Sequence, residues 1–404
     1  MNIIPVVFST DKNYIFPTAV VMASMLKTAK EQTFYEFYIQ TTKGCIPDCE
    51  RIFNCLKGEY ENYTINYLVM NPAEFKKVSV NNEFGHVTMP TFYRLMLANQ
   101  LVKYDRCIVL DSDILVREDL SEMFNVNLGN NYIAGVKSWI DRQNSAANLG
   151  HMKILGLPSM DNFIYLGVLV VNLKKIRDDN LTEQFVFHMS KGYPRDDQDV
   201  FNVCCYGKIT FLPLKYNLMF RYYKIGFPKG NIVYSEEELL DGINNPIIIH
   251  YPGKINKPWF NEYVPLSSEW WNVAKIFCPT KEFNYFDKEK CTYPEYLGFK
   301  NFENLCLGKS VVICGYTDIG KLVVAYWKRN FNISVAYIMD NDTNKSGLKY
   351  LGIETKTFNE LKSCCKVNEY LYIITNQKAA SAINQQLIEN DIDEKNIIVY
   401  KLPH

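Results

Sequence analysis

Residues 107–116 read CIVLDSDILV, and the interpretation of the whole chain starts from this segment. Its four leading apolar residues predict a short buried strand that stops at Asp111 and Asp113. Residues at positions i and i+2 of an extended chain project to the same side, so the two carboxylates lie together at a strand end. Adjacent carboxylates stay ionised only where a cation or strong hydrogen-bond donors compensate their charge. Two interpretations remain open: a divalent cation that bridges a diphosphate, or the capping of a helix that begins near Ile114.

Strand-like and helix-like segments alternate on both sides of these aspartates. The predicted strands are 3–8, 34–40, 63–69, 107–110, 132–136 and 166–172, and the predicted helices are 16–27 and 91–101. Such alternation is typical of an α/β fold with a largely parallel, covered sheet. Ligands of open α/β sheets bind outside the carboxyl ends of the strands, where the polar clusters 9–14 and 111–113 fall.

The Asp-x-Asp pattern is a weak signal by itself. It occurs four times, where about one occurrence is expected by chance in a chain of this length. The four pairs are Asp111/Asp113, Asp197/Asp199, Asp340/Asp342 and Asp391/Asp393. The last pair lies in a polar helix-to-strand connection and is predicted to be solvated. Context must therefore decide which of the others binds an ion.

A second cluster strengthens the metal interpretation of Asp111 and Asp113. His250 ends an apolar run and is followed by Gly253 and Lys257 on a turn-rich loop. Gly253 permits close approach of the backbone to a phosphate, and Lys257 supplies a positive charge for it. Mixed carboxylate and imidazole ligands suit Mn²⁺ better than Mg²⁺, which prefers oxygen ligands.

Composition excludes several classes of protein. The 404 residues predict two domains, and 44 basic against 44 acidic residues leave no electrostatic footprint for nucleic acid. Twelve scattered cysteines without metal-site spacing favour a reduced, cytoplasmic chain. The N-terminus has no signal-peptide pattern, and no apolar run approaches the roughly 20 residues that span a bilayer. Any membrane contact is therefore expected to be peripheral, at the inner face of the cell membrane.

Six motifs in order resemble glycosyltransferase family 8, the retaining GT-A enzymes that include bacterial lipopolysaccharide galactosyl- and glucosyltransferases and glycogenin. The resemblance covers roughly residues 1–260. The motifs are VVFSTDKNY (6–14), HVTMPTFYRL (86–95), VLDSDILV (109–116), GVLVVNL (167–173), DDQDVFN (196–202) and HYPGKINKPW (250–259). This resemblance implies a GT-A fold with a mostly parallel mixed sheet, a UDP-sugar donor and a carbohydrate or glycolipid acceptor.

The resemblance also implies roles for individual residues. The implied Mn²⁺ ligands, with Mg²⁺ as the alternative ion, are Asp111, Asp113 and His250. The implied donor-binding residues are Phe8, Ser9, Asp11, Asn13, Tyr14, Arg94, Ser112, Gly253 and Lys257. The implied catalytic pair beside the transferred sugar is Asp197 and Gln198, although acidic residues here also suit a helix N-terminus.

Two features of the implied chemistry follow from these residues. Gln198 is a poor covalent nucleophile, which favours front-face attack by the acceptor hydroxyl, with the leaving phosphate taking its proton. The chain departs from the family pattern at Ile164-Tyr165-Leu166-Gly167, where Tyr165 replaces an Asn that normally faces the donor sugar. This departure leaves the sugar specificity open. It also leaves open the alternative that the chain is a catalytically inactive sugar-nucleotide-binding or scaffold protein.

The C-terminal part begins a new βαβ pattern at Ser310. Gly315-Tyr-Thr-Asp-Ile-Gly320 follows a strand and opens a helix, and Asp340 follows where a ribose-binding acid is expected. Thr317 replaces the middle glycine of that fingerprint. The role of this part therefore has several alternatives: nucleotide binding, packing, homo-oligomerisation or partner docking. The predicted domains are a GT-A domain at 1–275, an aromatic and proline-rich linker at 276–304 and a Rossmann-like domain at 305–404.

Two other enzyme classes fit the sequence less well. A sugar-nucleotide pyrophosphorylase would have a glycine-rich phosphate loop after the first strand, where this chain has STDKNY. An NAD-linked sugar-modifying enzyme built on the C-terminal domain is weakened by Thr317.

Overall fold

The chain forms two compact units, Met1–Phe286 and Asp287–His404. The computed structural model describes residues 2–75, 78, 89–138, 146–219, 233–253, 257–260, 264, 266–286, 306, 308–317, 319–321, 323–324, 327 and 333–400. The domain limits expected at 275 and 305 remain predictions.

The first unit alternates strands and helices along the chain. Its strands are β1 Asn2–Ser9, β2 Thr33–Thr41, β3 Tyr63–Val69, β4 Cys107–Leu110, β5 Ile114–Val116, β6 Ile133–Lys137, β7 Ile164–Val171, β8 Ile209–Leu212, β9 Leu218–Met219 and β10 Ile248–His250. Its helices are α1 Ile15–Thr28, α2 Ile46–Phe53, α3 Leu97–Gln100, α4 Ser121–Phe124, α5 Ala146–Leu155, α6 Leu173–Asp178, α7 Leu181–Met189, α8 Asp196–Cys204, α9 Glu236–Asn244 and α10 Ser267–Ala274. A 3₁₀ helix, Met89–Met96, precedes α3.

Seven of these strands form one mixed sheet in the order β3-β2-β1-β4-β7-β6-β8. The pairs within β3-β2-β1-β4 are parallel, as is β6-β8, and β7 runs antiparallel to both β4 and β6. The predicted α/β fold with a mostly parallel mixed sheet is confirmed. A smaller sheet, β5-β10-β9, lies beside it.

Helix α1 lies in the core of the first unit. Pro17 stands in its first turn, where a missing backbone N–H costs no helical hydrogen bond. Every residue from Ile15 to Leu26 is buried, because the helix packs against both β5 and α10. A helix that is apolar all round is stable only when it is covered on all sides. Helix α1 begins directly after the loop that follows β1.

The segment after Asp113 is a strand rather than the start of a helix. Ile114, Leu115 and Val116 form β5, which pairs antiparallel with β10 so that Ile114 lies opposite His250. Three consecutive buried apolar residues gain more from this pairing than from beginning an isolated helix. The helix-capping interpretation of the two aspartates is therefore wrong, and the pairing brings His250 alongside them.

Buried aromatic residues among 257–260 and 266–286 pack into the core of the first unit. Trp259 and Trp270 are buried with ring centroids 5.1 Å apart, and Phe286 stacks on Phe16 of α1 at 4.9 Å. The remaining part of the expected linker, 287–304, lies outside the described residues.

The second unit contains a six-stranded sheet in the order β13-β14-β12-β11-β15-β16. Its strands are β11 Ser310–Cys314, β12 Ser334–Met339, β13 Lys349–Tyr350, β14 Ile353–Lys356, β15 Leu371–Ile374 and β16 Ile397–Val399, and its fully described helices are α11 Phe358–Cys364 and α12 Ala380–Glu389. All pairs are parallel except β13-β14. A capping box at Thr357 and Glu360 begins α11.

Two further observations concern the described residues only. Among the helices there, none combines the length and apolar character needed to cross a bilayer. The cysteines of the same residues are all free thiols.

Candidate functional site

The turn between β4 and β5 carries the two aspartates to the edge where β7 and β10 meet. The Asp111 N–H donates to the Gly167 carbonyl at 2.8 Å, and the Tyr251 N–H donates to the Asp113 carbonyl at 2.9 Å. These backbone bonds fix the aspartates from both sides. His250, the last residue of β10, therefore lies directly against them.

The side chains of Asp111, Asp113 and His250 converge on one small volume. One ligand atom from each lies within 4.8 Å of the others, and no other such group of three or more His, Cys, Asp and Glu residues occurs among the described residues. The His250 Nε2 is 3.3 Å from Asp113 Oδ1 and 3.7 Å from Asp111 Oδ2. Two carboxylates and one imidazole nitrogen at these separations form a donor set that fits a divalent cation.

Asn217 sets the orientation of His250, and the sequence interpretation missed it. Its buried Oδ1 lies 2.9 Å from the His250 Nδ1. When Nδ1 carries the proton and donates to this oxygen, the lone pair of Nε2 points at the two aspartates. Metal-binding histidines commonly donate their other ring N–H to an acceptor of this kind. The only sequence signal was a polar residue between two apolar segments, which is too general to identify such a role.

Replacing Asn217 with Ala is expected to lower the affinity for a divalent cation by about 10- to 100-fold, because the imidazole loses the partner that fixes its tautomer. Asn217→Asp should keep most of the affinity, since a carboxylate also accepts from Nδ1. Isothermal titration calorimetry with Mn²⁺ measures both. Asn131→Ala removes a part-buried amide that bonds Thr210 instead and should leave metal affinity unchanged. Equal losses in the Ala and Asp variants would contradict the orienting role.

Gly167 is the second residue that the sequence interpretation did not include in the site. A β-carbon built on it would overlap the His250 Cε1 and lie 2.8 Å from Nδ1 and 2.9 Å from Asp111 Oδ2. Only a residue without a side chain lets β7 approach the cluster this closely. A glycine inside an apolar strand was the available signal.

Two buried, positively charged side chains flank the cluster. Arg94 donates to Asp111 Oδ1 at 2.6 Å and to the Leu166 carbonyl at 3.1 Å, and its Nε lies 3.4 Å from Asp197 Oδ2. The Lys257 ammonium pairs with Asp113 Oδ2. Both side chains are more than nine-tenths buried, so these charges compensate the carboxylates in a water-poor environment.

Burial and these neighbours shift two acids in opposite directions. Burial opposes ionisation of Asp113, but the Lys257 ammonium and the His250 ring lower its pKa well below the usual value. For Asp197, burial outweighs the attraction of Arg94, and Asp111 adds repulsion, so its pKa rises to about 7. Asp113 is thus negatively charged and able to bind a cation, whereas Asp197 changes charge near neutral pH.

The metal-free protein is expected to lose stability relative to Asp197→Asn as pH rises from about 5 to 7. Asp197 takes up a proton on folding because its pKa rises from 3.8 to about 7. Its contribution to stability is therefore full below the unfolded value and is lost as pH passes the folded value. Melting temperatures in chelator across pH 5–8.5 would measure the difference.

The exposed Asp393, replaced by Asn, provides the control for this experiment, and its difference from the unchanged protein should not vary over this range. A constant difference for Asp197→Asn would contradict the raised pKa.

Comparison with known proteins assigns the chain to a family. The model for glycosyl transferase family 8 matches residues 5–262, which is more than half of the chain. The chain belongs to glycosyltransferase family 8. Among solved structures, the bifunctional glycosyltransferase WbbM aligns with TM-score 0.61 and 24% identity over 72% of this chain, and the matched region spans about half (52%) of WbbM. The galactosyltransferase LgtC, solved with donor and acceptor sugar analogues, aligns with TM-score 0.58 and 21% identity over 70% of this chain and all of LgtC. These likenesses confirm the GT-A fold.

Sequence relatives agree with the family assignment. A Haemophilus influenzae protein described only as a glycosyltransferase is 26% identical over 300 residues, covering 71% of this chain and 83% of its own. The lipopolysaccharide 1,3-galactosyltransferase of Salmonella typhimurium is 24% identical over 291 residues, covering 68% and 78%. This family 8 chain is accordingly a glycosyltransferase.

The loop after β1 of this glycosyltransferase holds the predicted nucleoside-binding residues. Phe8 is fully buried, with its ring centroid 6.1 Å from that of Phe37. Ser9 donates to Gln40 at 2.7 Å, and Asp11 accepts from the N–H of Asn13 at 2.9 Å. These bonds give the loop a fixed shape at the carboxyl end of β1.

The remaining predicted donor-binding residues lie around this loop and the cluster. The Tyr14 ring lies 6.2 Å from that of Trp259, with the Lys257 ammonium 5.9 Å away. Ser112 is buried and shares a 2.7 Å hydrogen bond with Thr18 of α1, which anchors the turn between the aspartates. Gly253 has φ +85°, a conformation that favours glycine.

Helix α8 places Asp197 and Gln198 in its first turn. The helix-start interpretation of this pair is therefore correct, and Asp197 also approaches Arg94. Asp199 anchors the helix, since its Oδ2 pairs with the His151 ring at 2.9 Å and accepts from the Arg195 N–H at 2.8 Å. Gln198 is half-buried.

Tyr165 lies on β7 two residues before Gly167. Gly167 directly adjoins His250 and Asp111. The half-buried Tyr165 is therefore two residues along β7 from the glycine that adjoins the cluster. It lies beyond the carboxyl end of β4.

Proposed function

We propose that this glycosyltransferase is a Mn²⁺-dependent retaining enzyme that moves glucose or galactose from a UDP-sugar to an acceptor hydroxyl. The observation that carries the proposal is the convergence of Asp111, Asp113 and His250 between the buried cations Arg94 and Lys257. The relative that acts on lipopolysaccharide supports a bacterial cell-surface polysaccharide or lipopolysaccharide as the acceptor.

The combination of two carboxylates and one imidazole supports a metal ion that binds both oxygen and nitrogen ligands. Asp111, Asp113 and His250 would hold Mn²⁺, whose charge would offset that of the diphosphate. The Asn217–His250 contact leaves an imidazole lone pair facing the carboxylates, which fits this role. Lys257 compensates Asp113 in the metal-free protein, and a bound cation would release its ammonium for the diphosphate.

The flanking residues would stabilise the charge that develops on the departing phosphate. Arg94 is held by Asp111, the Leu166 carbonyl and Asp197, so its guanidinium is positioned before the donor arrives. Lys257 provides a second, more mobile charge on a four-carbon stem. Preorganised charges of this kind act strongly in a water-poor site.

The proposed reaction takes place on one face of the sugar. The acceptor oxygen forms a bond to the anomeric carbon while the bond from that carbon to the phosphate oxygen breaks, and the acceptor proton passes to the departing phosphate. Gln198 offers a neutral amide oxygen beside the electron-poor sugar, and Asp197 orients the sugar hydroxyls. No covalent sugar–enzyme intermediate is required.

Tyr165 is our proposed determinant of the donor sugar. Tyr165 lies beyond the carboxyl end of β4, two residues from Gly167 on β7, and is larger than the Asn it replaces. Sugar hydroxyls would therefore meet a ring edge and one phenol rather than an amide. Replacement by Asn would change the relative use of UDP-glucose and UDP-galactose.

Melting temperatures and UDP release test the function together. UDP-glucose, UDP-galactose and UDP-N-acetylglucosamine are each added with Mn²⁺, with Mg²⁺ or with chelator. The proposal expects one hexose donor to raise the melting temperature only with metal, and slow UDP release without acceptor. Binding without release would instead support the inactive, donor-binding alternative. If no sugar nucleotide shifts the melting temperature, the proposal is wrong.

A further inference from the structure

The second unit contains a cavity that the proposed transferase chemistry does not use. In its sheet, β11 lies between β12 and β15. The chain passes from β11 to β12 on one side and later places β15 on the other, so the order reverses between β11 and β15. In open α/β sheets, ligands bind in the crevice outside the carboxyl ends of strands at such a reversal.

A cavity of about 300 Å³ lies at this place. It is lined by the residues that follow three neighbouring strands and by one face of α12; those used here are Gly315, Asp340, Asn376, Ala379, Ala382 and Ile383. Its volume is at the lower end of the range for small-molecule sites. The helix side presents Ala382 and Ile383 together with Gln386, which accepts from Asn341, and polar groups lie at the strand ends. Such a site suits a flat ring attached to a hydroxyl-bearing group.

Asp340 is a fixed acceptor among the polar groups at the strand ends. Its Oδ2 accepts from the Tyr316 N–H at 2.9 Å and from Lys345 at 3.0 Å, and its Oδ1 accepts from the Asp342 N–H at 3.1 Å. A carboxylate has about four acceptor positions, so one on Oδ1 remains for a ligand. The side chain is more than nine-tenths buried.

Backbone amides that follow β11 are already used within the protein, since the Tyr316 N–H donates to Asp340 and the Lys321 N–H donates to the Thr317 carbonyl. A β-carbon on Gly320 would overlap the Gly315 carbonyl oxygen, and one on Gly315 would lie 2.9 Å from the Asn376 Cβ. The Thr317 hydroxyl accepts the Gly320 N–H at 3.1 Å, so this amide is already satisfied. The Thr317 side chain also occupies the place where dinucleotide-binding loops have glycine.

We propose that this cavity is a second ligand site, which binds the nucleoside part of a nucleotide. The base lies against Ala382 and Ile383, and a ribose hydroxyl donates to Asp340. Phosphates extend away from the loop and add little to affinity. The site is therefore metal-independent, and a nucleoside binds within about threefold of its diphosphate.

Calorimetric titration of the full chain tests this site separately from the first. The Asp113→Asn variant is used with chelator, so that the proposed metal site is disabled. The probes are uridine, UDP, adenosine and ADP, and comparison of the uridine and adenosine compounds shows which base the site binds. We expect one nucleoside to bind, with an affinity within about threefold of its diphosphate. Absence of heat at about 1 mM for all four probes, the limit of a weak complex, would overturn the proposal. A diphosphate that binds at least 100-fold tighter than its nucleoside would overturn it equally.

Variants of α12 locate the binding. Ala382→Phe places a ring in the cavity from an exposed helix position and should reduce affinity at least 10-fold while the chain remains folded. Ser381→Phe adds the same ring one residue earlier, outside the cavity lining, and should bind normally. Asp340→Asn should weaken binding as well, with circular dichroism to check folding. Unchanged affinity in Ala382→Phe would show that the probes bind elsewhere.

Discussion

The Asp113→Asn protein is expected to lose measurable divalent-cation binding and to release UDP from its donor at least about 100-fold more slowly. Asn keeps the size of the side chain and an oxygen that accepts from Lys257, but removes the negative charge. The buried Lys257 ammonium then lacks its counter-ion, which costs about 3 kcal/mol of stability. Electron paramagnetic resonance titration with Mn²⁺ measures binding, and UDP release measures turnover.

The chain provides a matched control for this experiment. Asp393 belongs to another Asp-x-Asp pair, is about half exposed and pairs only with Lys395. Asp393→Asn should bind Mn²⁺ and release UDP like the unchanged protein. Normal Mn²⁺ affinity in a folded Asp113→Asn protein would remove this residue from the proposed metal site.

Replacement of Gly167 with Ala is expected to abolish metal binding through shape rather than charge. The new methyl group would occupy the space of the His250 ring and press on Asp111. Strand β7 is held on both edges by β4 and β6, so the ligands must move instead, at a cost of about 1–3 kcal/mol. Mn²⁺ affinity should fall at least 100-fold, which calorimetry and thermal unfolding would measure.

Gly135→Ala serves as the control for the same change on the neighbouring strand β6. There the methyl group would contact the ends of the Ile164 and Leu169 side chains, not a proposed ligand. It should lower stability while metal affinity stays normal. Parallel losses of affinity in both variants would indicate general damage to the sheet and contradict the role of Gly167.

The sequence predicted six of the seven strands of the main sheet, because each of the six has a clear apolar pattern; the edge strand β8, Ile209–Leu212, was not predicted. It also singled out the aspartate pair that the structure places beside His250 and Lys257. The nature of the segment after Asp113 was left open, because three apolar residues suit a strand or a helix start equally. Their partner strand β10 is distant in sequence, and local patterns contain no information about that pairing.

Asn217 and Gly167 show the other limit of sequence reasoning. Their importance lies in what they adjoin: one fixes the ring of His250, and the other leaves room for it. An isolated Asn or Gly has many structural uses, and only the packed structure distinguishes among them. The raised pKa of Asp197 likewise depends on burial beside Asp111 and Arg94, which no local pattern contains.

The pairing of β5 with β10 has a consequence for how the protein folds. Asp113 and Lys257 are 144 residues apart along the chain, so the cluster closes a long loop of the first unit. Closure of such a loop costs entropy that only later contacts repay, and contacts of this kind form late. Metal-binding capacity should therefore return only when refolding of the first unit is nearly complete, after its helices and the parallel strands have formed.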